Sequence, residues 1–68
     1  MTGAELKEWR TRMGWTQKQA AEQLDISKAW LEQMERGKRF TTNEPVAIER
    51  RTYLACMALE HLDIESAA

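Results

Sequence analysis

Residues 16–37 read TQKQAAEQLDISKAWLEQMERG, and this stretch decides the fold. Thr16-Gln17-Lys18-Gln19 has the spacing of a capping box, with Trp15 and Ala20 at the positions of a hydrophobic staple. A helix is expected over roughly 17–24, burying Ala20, Ala21 and Leu24. Ser27 suits the N-cap of the next helix, and Ile26 and Leu31 form a further staple pair. Leu31 and Met34 set the inner face of that helix, and Gly37 stops it. Three residues, Asp25-Ile26-Ser27, are left between the two helices as a turn.

The outer face of the second helix carries the functional expectation. With Leu31 and Met34 inward and about 100° per residue, Ala29, Glu32, Gln33 and Arg36 point outward, with Lys28 and Trp30 on the flanks. A basic cluster, Arg36-Gly37-Lys38-Arg39, follows at its end. Gln can pair with adenine, Lys or Arg with guanine, and a small residue such as Ala29 permits close approach to a thymine methyl. Glu32 is a cost near phosphates unless it accepts from cytosine or faces solvent. Any isolated helix can show such a solvated polar face. The preceding helix and tight turn make it a helix-turn-helix geometry, in which the second helix enters the major groove and the first lies across the backbone.

Outward from this unit, Thr2-Gly3-Ala4-Glu5 is another capping box, with Met1 and Leu6 as its staple. Leu6, Trp9 and Met13 fall on one helical face, and Gly14 sits where a C-terminal glycine belongs. Phe40 to Asn43 reads as a loop. Thr42 or Asn43 can cap a following helix with Pro45 in its first turn, giving a helical segment over 44–61, either continuous or kinked. Asp63 to Ala68 is expected to fray, and no stretch reads as a strand. The fold class is therefore all-α, a compact four- to five-helix bundle forming a single domain over 1–68.

Composition narrows the function. A chain of 68 residues holds one small core. Its single cysteine excludes a disulfide, and the lone Cys56 and His61 give no metal spacing. Cys56 reads as a small buried hydrophobe and His61 as a surface residue. Ser/His/Asp sets, paired carboxylates and phosphate-cradling glycine loops are missing, so an enzyme is rejected and no cofactor or small-molecule ligand is expected. No apolar run approaches the roughly 20 residues that span a bilayer, and the N-terminus reads as a polar amphipathic helix rather than a signal peptide, so a cytoplasmic protein is expected. Residues 26–51 carry six basic and four acidic side chains, and residues 52–68 carry three acidic and none basic. A DNA face should point away from that acidic end.

The chain resembles the Cro/C1-type (XRE-like) helix-turn-helix family, the repressor-like domains of phages and bacteria, of the lambda-repressor-like fold. The residues that carry the resemblance are Thr16-Gln17, Ala20-Ala21, Leu24-Asp25-Ile26-Ser27, Leu31 and Met34-Glu35-Arg36-Gly37-Lys38-Arg39. It covers about residues 4–39 well and the C-terminal part poorly. It implies DNA base contacts by Lys28, Ala29 and Gln33, backbone contacts by Arg36, Lys38 and Arg39, and a contact by Gln17 to the phosphate backbone or to a base near it. Trp30, by its flank position, packs either on the sugar-phosphate backbone or against the protein. The resemblance also implies a partly buried structural ion pair between Arg10 and Glu35, holding the first helix to the third. Two residues depart from the pattern. The turn glycine is Asp25, which tolerates a left-handed conformation at small cost. The usual leucine of the second helix is Ala20, whose lost volume Trp9, Trp15 or Trp30 can fill.

Tyr53 to Leu59 is apolar around the whole helix, so one face can cover the core while the opposite face needs a partner. The expectation is a homodimer through Leu54, Met57, Ala58 and Leu62, the alternative being a helix buried on both sides within one subunit. Arg50 and Arg51 are either a solvated face or further backbone contacts. Together these features describe a sequence-specific DNA-binding regulator, expected to be a dimeric repressor on an inverted repeat, of phage or mobile-element type, autoregulating its operon and nucleoid-associated when bound. The competing class is a protein-interaction module on the same fold, such as an antitoxin or an inhibitor of a host protein.

Overall fold

The computed structural model describes residues 1–67, with side chains through Leu62. It contains α1 (Gly3–Arg12), α2 (Gln17–Leu24), α3 (Lys28–Arg36) and α4 (Arg50–Ala67). The fold is all-α with four helices, and no strand occurs among the described residues.

The first three helices begin where local chemistry tells them to. The Thr2 hydroxyl accepts from the Glu5 amide at 3.1 Å, and the Thr2 amide donates to Glu5 Oε1 at 2.9 Å. That backbone hydrogen bond holds the Glu5 carboxyl below its ordinary pKa. Thr16 and Gln19 repeat the reciprocal arrangement at 3.1 and 2.9 Å. Ser27 accepts from the Trp30 amide at 3.1 Å. Each such cap satisfies amides that the first helical turn leaves without partners. Gly14 (φ 75°) and Gly37 (φ 81°) reverse the chain after α1 and α3 in the left-handed region, where a side chain would be strained.

Leu6 and Trp9 of α1, Ala20 and Ala21 of α2, Leu31 and Met34 of α3, and Cys56 of α4 form the buried core. Met13, Trp15, Leu24, Ile26 and Trp30 pack around it half-buried. Trp15 meets Trp9 edge to face, with ring centroids 5.7 Å apart and planes at 82°. Burial pushes the Cys56 thiol up from 9.0 to about 11, with Glu60 adding to the shift. Gly3 sets how closely α1 crosses α3. A Cβ there would lie 2.5 Å from the Met34 carbonyl oxygen and 2.6 Å from that of Glu35, so this crossing admits no side chain.

The segment after α3 departs from expectation. The helix foreseen over 44–61, capped by Thr42 or Asn43 with Pro45 in its first turn, instead runs from Arg50 to Ala67. Residues 37–46 form a tight hairpin in its place. Lys38 and Pro45 make an isolated antiparallel bridge, Arg39 N–H donates to the Glu44 carbonyl at 2.9 Å, and Val46 N–H donates to the Gly37 carbonyl at 3.0 Å. Asn43, with φ 57°, turns the chain rather than capping a helix. The physical reason lies in Val46 and Ile48, which are both half-buried against the core. Extended backbone points residues two apart to the same side, whereas a helix would set them about 200° apart and bury only one. At the other end, α4 is helical to Ala67, and Ala68, the last residue of the segment expected to fray, lies outside the described residues.

Candidate nucleic-acid interface

The turn between α2 and α3 fixes the site. Asp25 takes φ 57° and ψ 45°, a left-handed conformation, and caps α2 with its N–H donating toward the Ala21 and Glu22 carbonyls. Ile26 N–H donates to the Ala21 carbonyl at 3.0 Å, which closes the corner. Asp is one of the few residues with a side chain that occupies this region at modest cost. Ser27 then starts α3, which packs its Leu31–Met34 face against α1 and α2.

A partly buried ion pair holds α3 in place from the side. Arg10 Nε donates to Glu35 Oε2 at 2.8 Å and Arg10 Nη2 to Oε1 at 3.1 Å, a two-pronged contact with side chains 14% and 5% exposed. Arg10 Nη1 also donates to the Trp15 carbonyl at 3.1 Å, so one guanidinium ties α1, the α1–α2 corner and α3 together. The planar guanidinium suits such bidentate pairing.

On the outer surface, Lys28 and Ala29 are exposed in the first turn of α3. Lys28 Nζ lies 3.4 Å from Glu32 Oε1, an i,i+4 pair that occupies the glutamate foreseen as an electrostatic cost. Gln17 opens α2, half-buried. Arg36 is exposed in the last turn of α3, and Lys38 and Arg39 are exposed just beyond it. Gln33 is half-buried and bonded at both ends of its amide: Nε2 donates to the Ala29 carbonyl and Oε1 accepts from Phe40 N–H, each at 3.3 Å. Trp30 is half-buried, and the Arg39 guanidinium stacks 5.5 Å from its ring centroid. Arg36 lies likewise 5.9 Å from the exposed Phe40 ring.

Phe40 escaped the sequence reading, although an aromatic residue directly after a basic cluster is a usable signal. Gly3 escaped it too, and nothing local marks its role. Arg51 pairs with Glu49 at 2.7 Å, with both side chains largely in solvent. On α4, Leu54 (49% exposed), Met57 (51%) and Leu62 (56%) lie open, and Ala58 is exposed as well. The acidic Glu60 reaches Arg12 of α1 at 3.1 Å, and α4 packs mainly on α2.

A turn of this geometry, with a packed helix before it and an open polar helix after it, has a counterpart among known families. A protein-family model described as a helix-turn-helix domain matches residues 2–56. The chain belongs to this helix-turn-helix domain family. Searches of curated proteins and of solved structures returned no match. The match takes in α1 to α3, the hairpin and the first part of α4, and is consistent with the XRE-like resemblance of residues 4–39. The helix-turn-helix is a DNA-binding element, with α3 in the position of the recognition helix. No helix among the described residues is long and apolar enough to cross a membrane.

Proposed function

We propose that this helix-turn-helix protein is a sequence-specific transcriptional regulator that acts as a dimeric repressor. The observation that carries the reading is the exposed face of α3, with Lys28 and Ala29 in its first turn, Arg36 in its last, and Lys38 and Arg39 just beyond it. In this reading Lys28 and Ala29 meet base edges in the major groove. Gln33 lies on the same face one turn later. Arg36, Lys38 and Arg39 neutralise phosphates on one side of the groove. On the other side, Gln17 and the free amides at the start of α2 receive a phosphate, because a helix N-terminus favours an anion. Trp30 braces Arg39 rather than touching DNA first.

Two such surfaces are needed for an inverted repeat, with recognition helices about 34 Å apart in successive major grooves. The open apolar side chains of α4 support the pairing: Leu54, Met57 and Leu62 are about half exposed, with Ala58 between them. Bound across a promoter, the dimer would exclude polymerase by occupying the site. It would act on nucleoid DNA, and its own operon is the first place to look.

The test is a gel shift with DNA upstream of its own gene, across a salt series and against random competitor. Specific binding should survive competitor and weaken with salt at a slope near −0.9 per phosphate contacted. Lys28→Ala should change base preference at one position by about 1–3 kcal/mol. Arg36→Ala and Lys38→Ala should weaken all sequences alike. Sedimentation should show a species heavier than the 7.9 kDa monomer that Leu54→Asp dissociates. The same exposed row on α4 supports a second reading, in which the apolar face binds a different protein. A monomeric protein without specific DNA affinity would favour that reading.

A further inference from the structure

The hairpin after α3 is fastened to α3 at three separate points. Phe40 N–H donates to Gln33 Oε1, the Arg36 guanidinium stacks on the Phe40 ring, and the Arg39 guanidinium stacks on Trp30. The hairpin is also closed within itself through Arg39–Glu44, Val46–Gly37 and the Lys38–Pro45 bridge. Its tip, Phe40 to Asn43, is exposed beside the C-terminal end of α3.

Gln33 is the only one of these links made by the outward face of α3 to the hairpin backbone. Reading adenine requires its amide to present a donor and an acceptor together to one base edge. Here the acceptor is turned to Phe40 N–H and a donor is turned back to the Ala29 carbonyl. Turning the amide into the groove would break both bonds and leave Phe40 N–H without its partner. The stacked arginines, by contrast, lose nothing by meeting phosphate. Each guanidinium lies over its ring at 5.5–5.9 Å from the centroid, and a cation–π contact consumes no N–H donor while it limits the rotamers that must be given up on binding.

We propose that Gln33 is a positioning residue rather than a base reader: it clasps the 37–46 hairpin to α3, so that Lys38, Arg39 and the hairpin tip form a preset phosphate-binding ledge beside the recognition helix. What the ledge touches rests on the DNA-binding reading. The clasp itself belongs to the free protein and is tested there first.

Amide exchange of Phe40 in the DNA-free protein is the direct readout. Gln33→Ala removes the acceptor and should speed Phe40 exchange about two- to tenfold, the factor matching the net worth of one hydrogen bond. Gln33→Glu keeps a carboxylate oxygen at the same reach and should retain the original protection. Unchanged exchange in Gln33→Ala, or no rescue in Gln33→Glu, overturns the clasp. On DNA, Gln33→Ala should weaken the preferred site and each of its single-base variants by one common factor. It should also reduce the salt slope by about 0.9 for each phosphate that the loosened ledge no longer neutralises. A loss confined to one base position would return Gln33 to base reading and overturn the proposal. If the parent protein binds no DNA, the regulator reading falls alone, and Phe40 exchange still decides the clasp.

Discussion

Residues 2–37 and residues 38–62 are held in different ways. The first region supplies Leu6, Trp9, Ala20, Ala21, Leu31 and Met34 to the core, and caps its three helices with Thr2, Thr16 and Ser27. The second supplies only Cys56 as a fully buried core side chain, with Val46, Ile48 and Leu59 half-buried, and leaves Tyr53, Leu54, Met57 and Leu62 open. Fully burying a Leu or Met side chain stabilises by about 1.5–3 kcal/mol, so α4 realises little of what its composition offers. The contrast separates two tasks. The three-helix body carries the helix-turn-helix and most of the buried core. The hairpin and α4 are joined to it through fewer buried side chains.

Breaking the body at its ion pair should give the largest effect. Glu35→Ala leaves Arg10 charged and nearly buried, at a cost of about 3–5 kcal/mol for a fully enclosed pair and less for one whose arginine keeps some solvent. Urea unfolding followed by tryptophan fluorescence measures it. A loss below about 1 kcal/mol, the range of surface pairs, would mean that water reaches the site freely.

Gly3→Ala comes next. Its Cβ would press on the backbone oxygens of Met34 and Glu35, which cannot rotate away, so α1 must shift off α3. Overpacking of this kind costs about 1–3 kcal/mol, and the better helix propensity of alanine offsets only part of it. Unaltered stability would show that the α1–α3 crossing is looser than the geometry indicates.

The attachment of α4 can be compared with the body through Cys56. A buried thiol whose pKa is raised to about 11 should resist labelling at pH 8 while α4 is docked. If α4 opens independently, labelling will outpace global unfolding. If α4 and the body are one cooperative unit, the two rates coincide. The same shift has a sign in pH. The unfolded thiol ionises from about 9.0 and the folded one only near 11, so stability present below pH 9 should fall as pH rises across that window. Cys56→Ala should remove this component.

Asp25→Gly should have the smallest effect, and a favourable one. Glycine adopts φ 57° without the cost a side chain carries there, at the expense of extra freedom in the unfolded chain. A gain of up to about 1 kcal/mol in thermal unfolding is expected. Destabilisation would show that the Asp25 side chain does more than tolerate the turn.

Much of the body was legible because its determinants are local. Thr2 with Glu5, Thr16 with Gln19, Ser27 before α3, and the positive-φ residues Gly14, Asp25 and Gly37 all act within about one helical turn, so their spacing in the chain is their geometry. Leu31 and Met34 announced the buried face of α3 in the same way. The hairpin was not legible. Pro45 suits the first turn of a helix as well as an extended bridge, and only the positions of Val46 and Ile48 against the core separate the two. The alternation of those two residues was a signal, but too short to outweigh the helical composition that follows.

The sequence by itself determined three capped helices, a left-handed corner at Asp25 and a polar face on α3, because each depends on neighbours a few residues away. The tertiary structure alone decided that Gly3 must carry no side chain, that α4 begins at Arg50, and that the amide of Gln33 turns to Phe40 and Ala29. The first two depend on what the core or another helix places opposite a residue, and no local spacing records that. The third depends on the hairpin folding back over the end of α3, which brings the backbone of Phe40 within reach of a side chain one helical turn before Gly37.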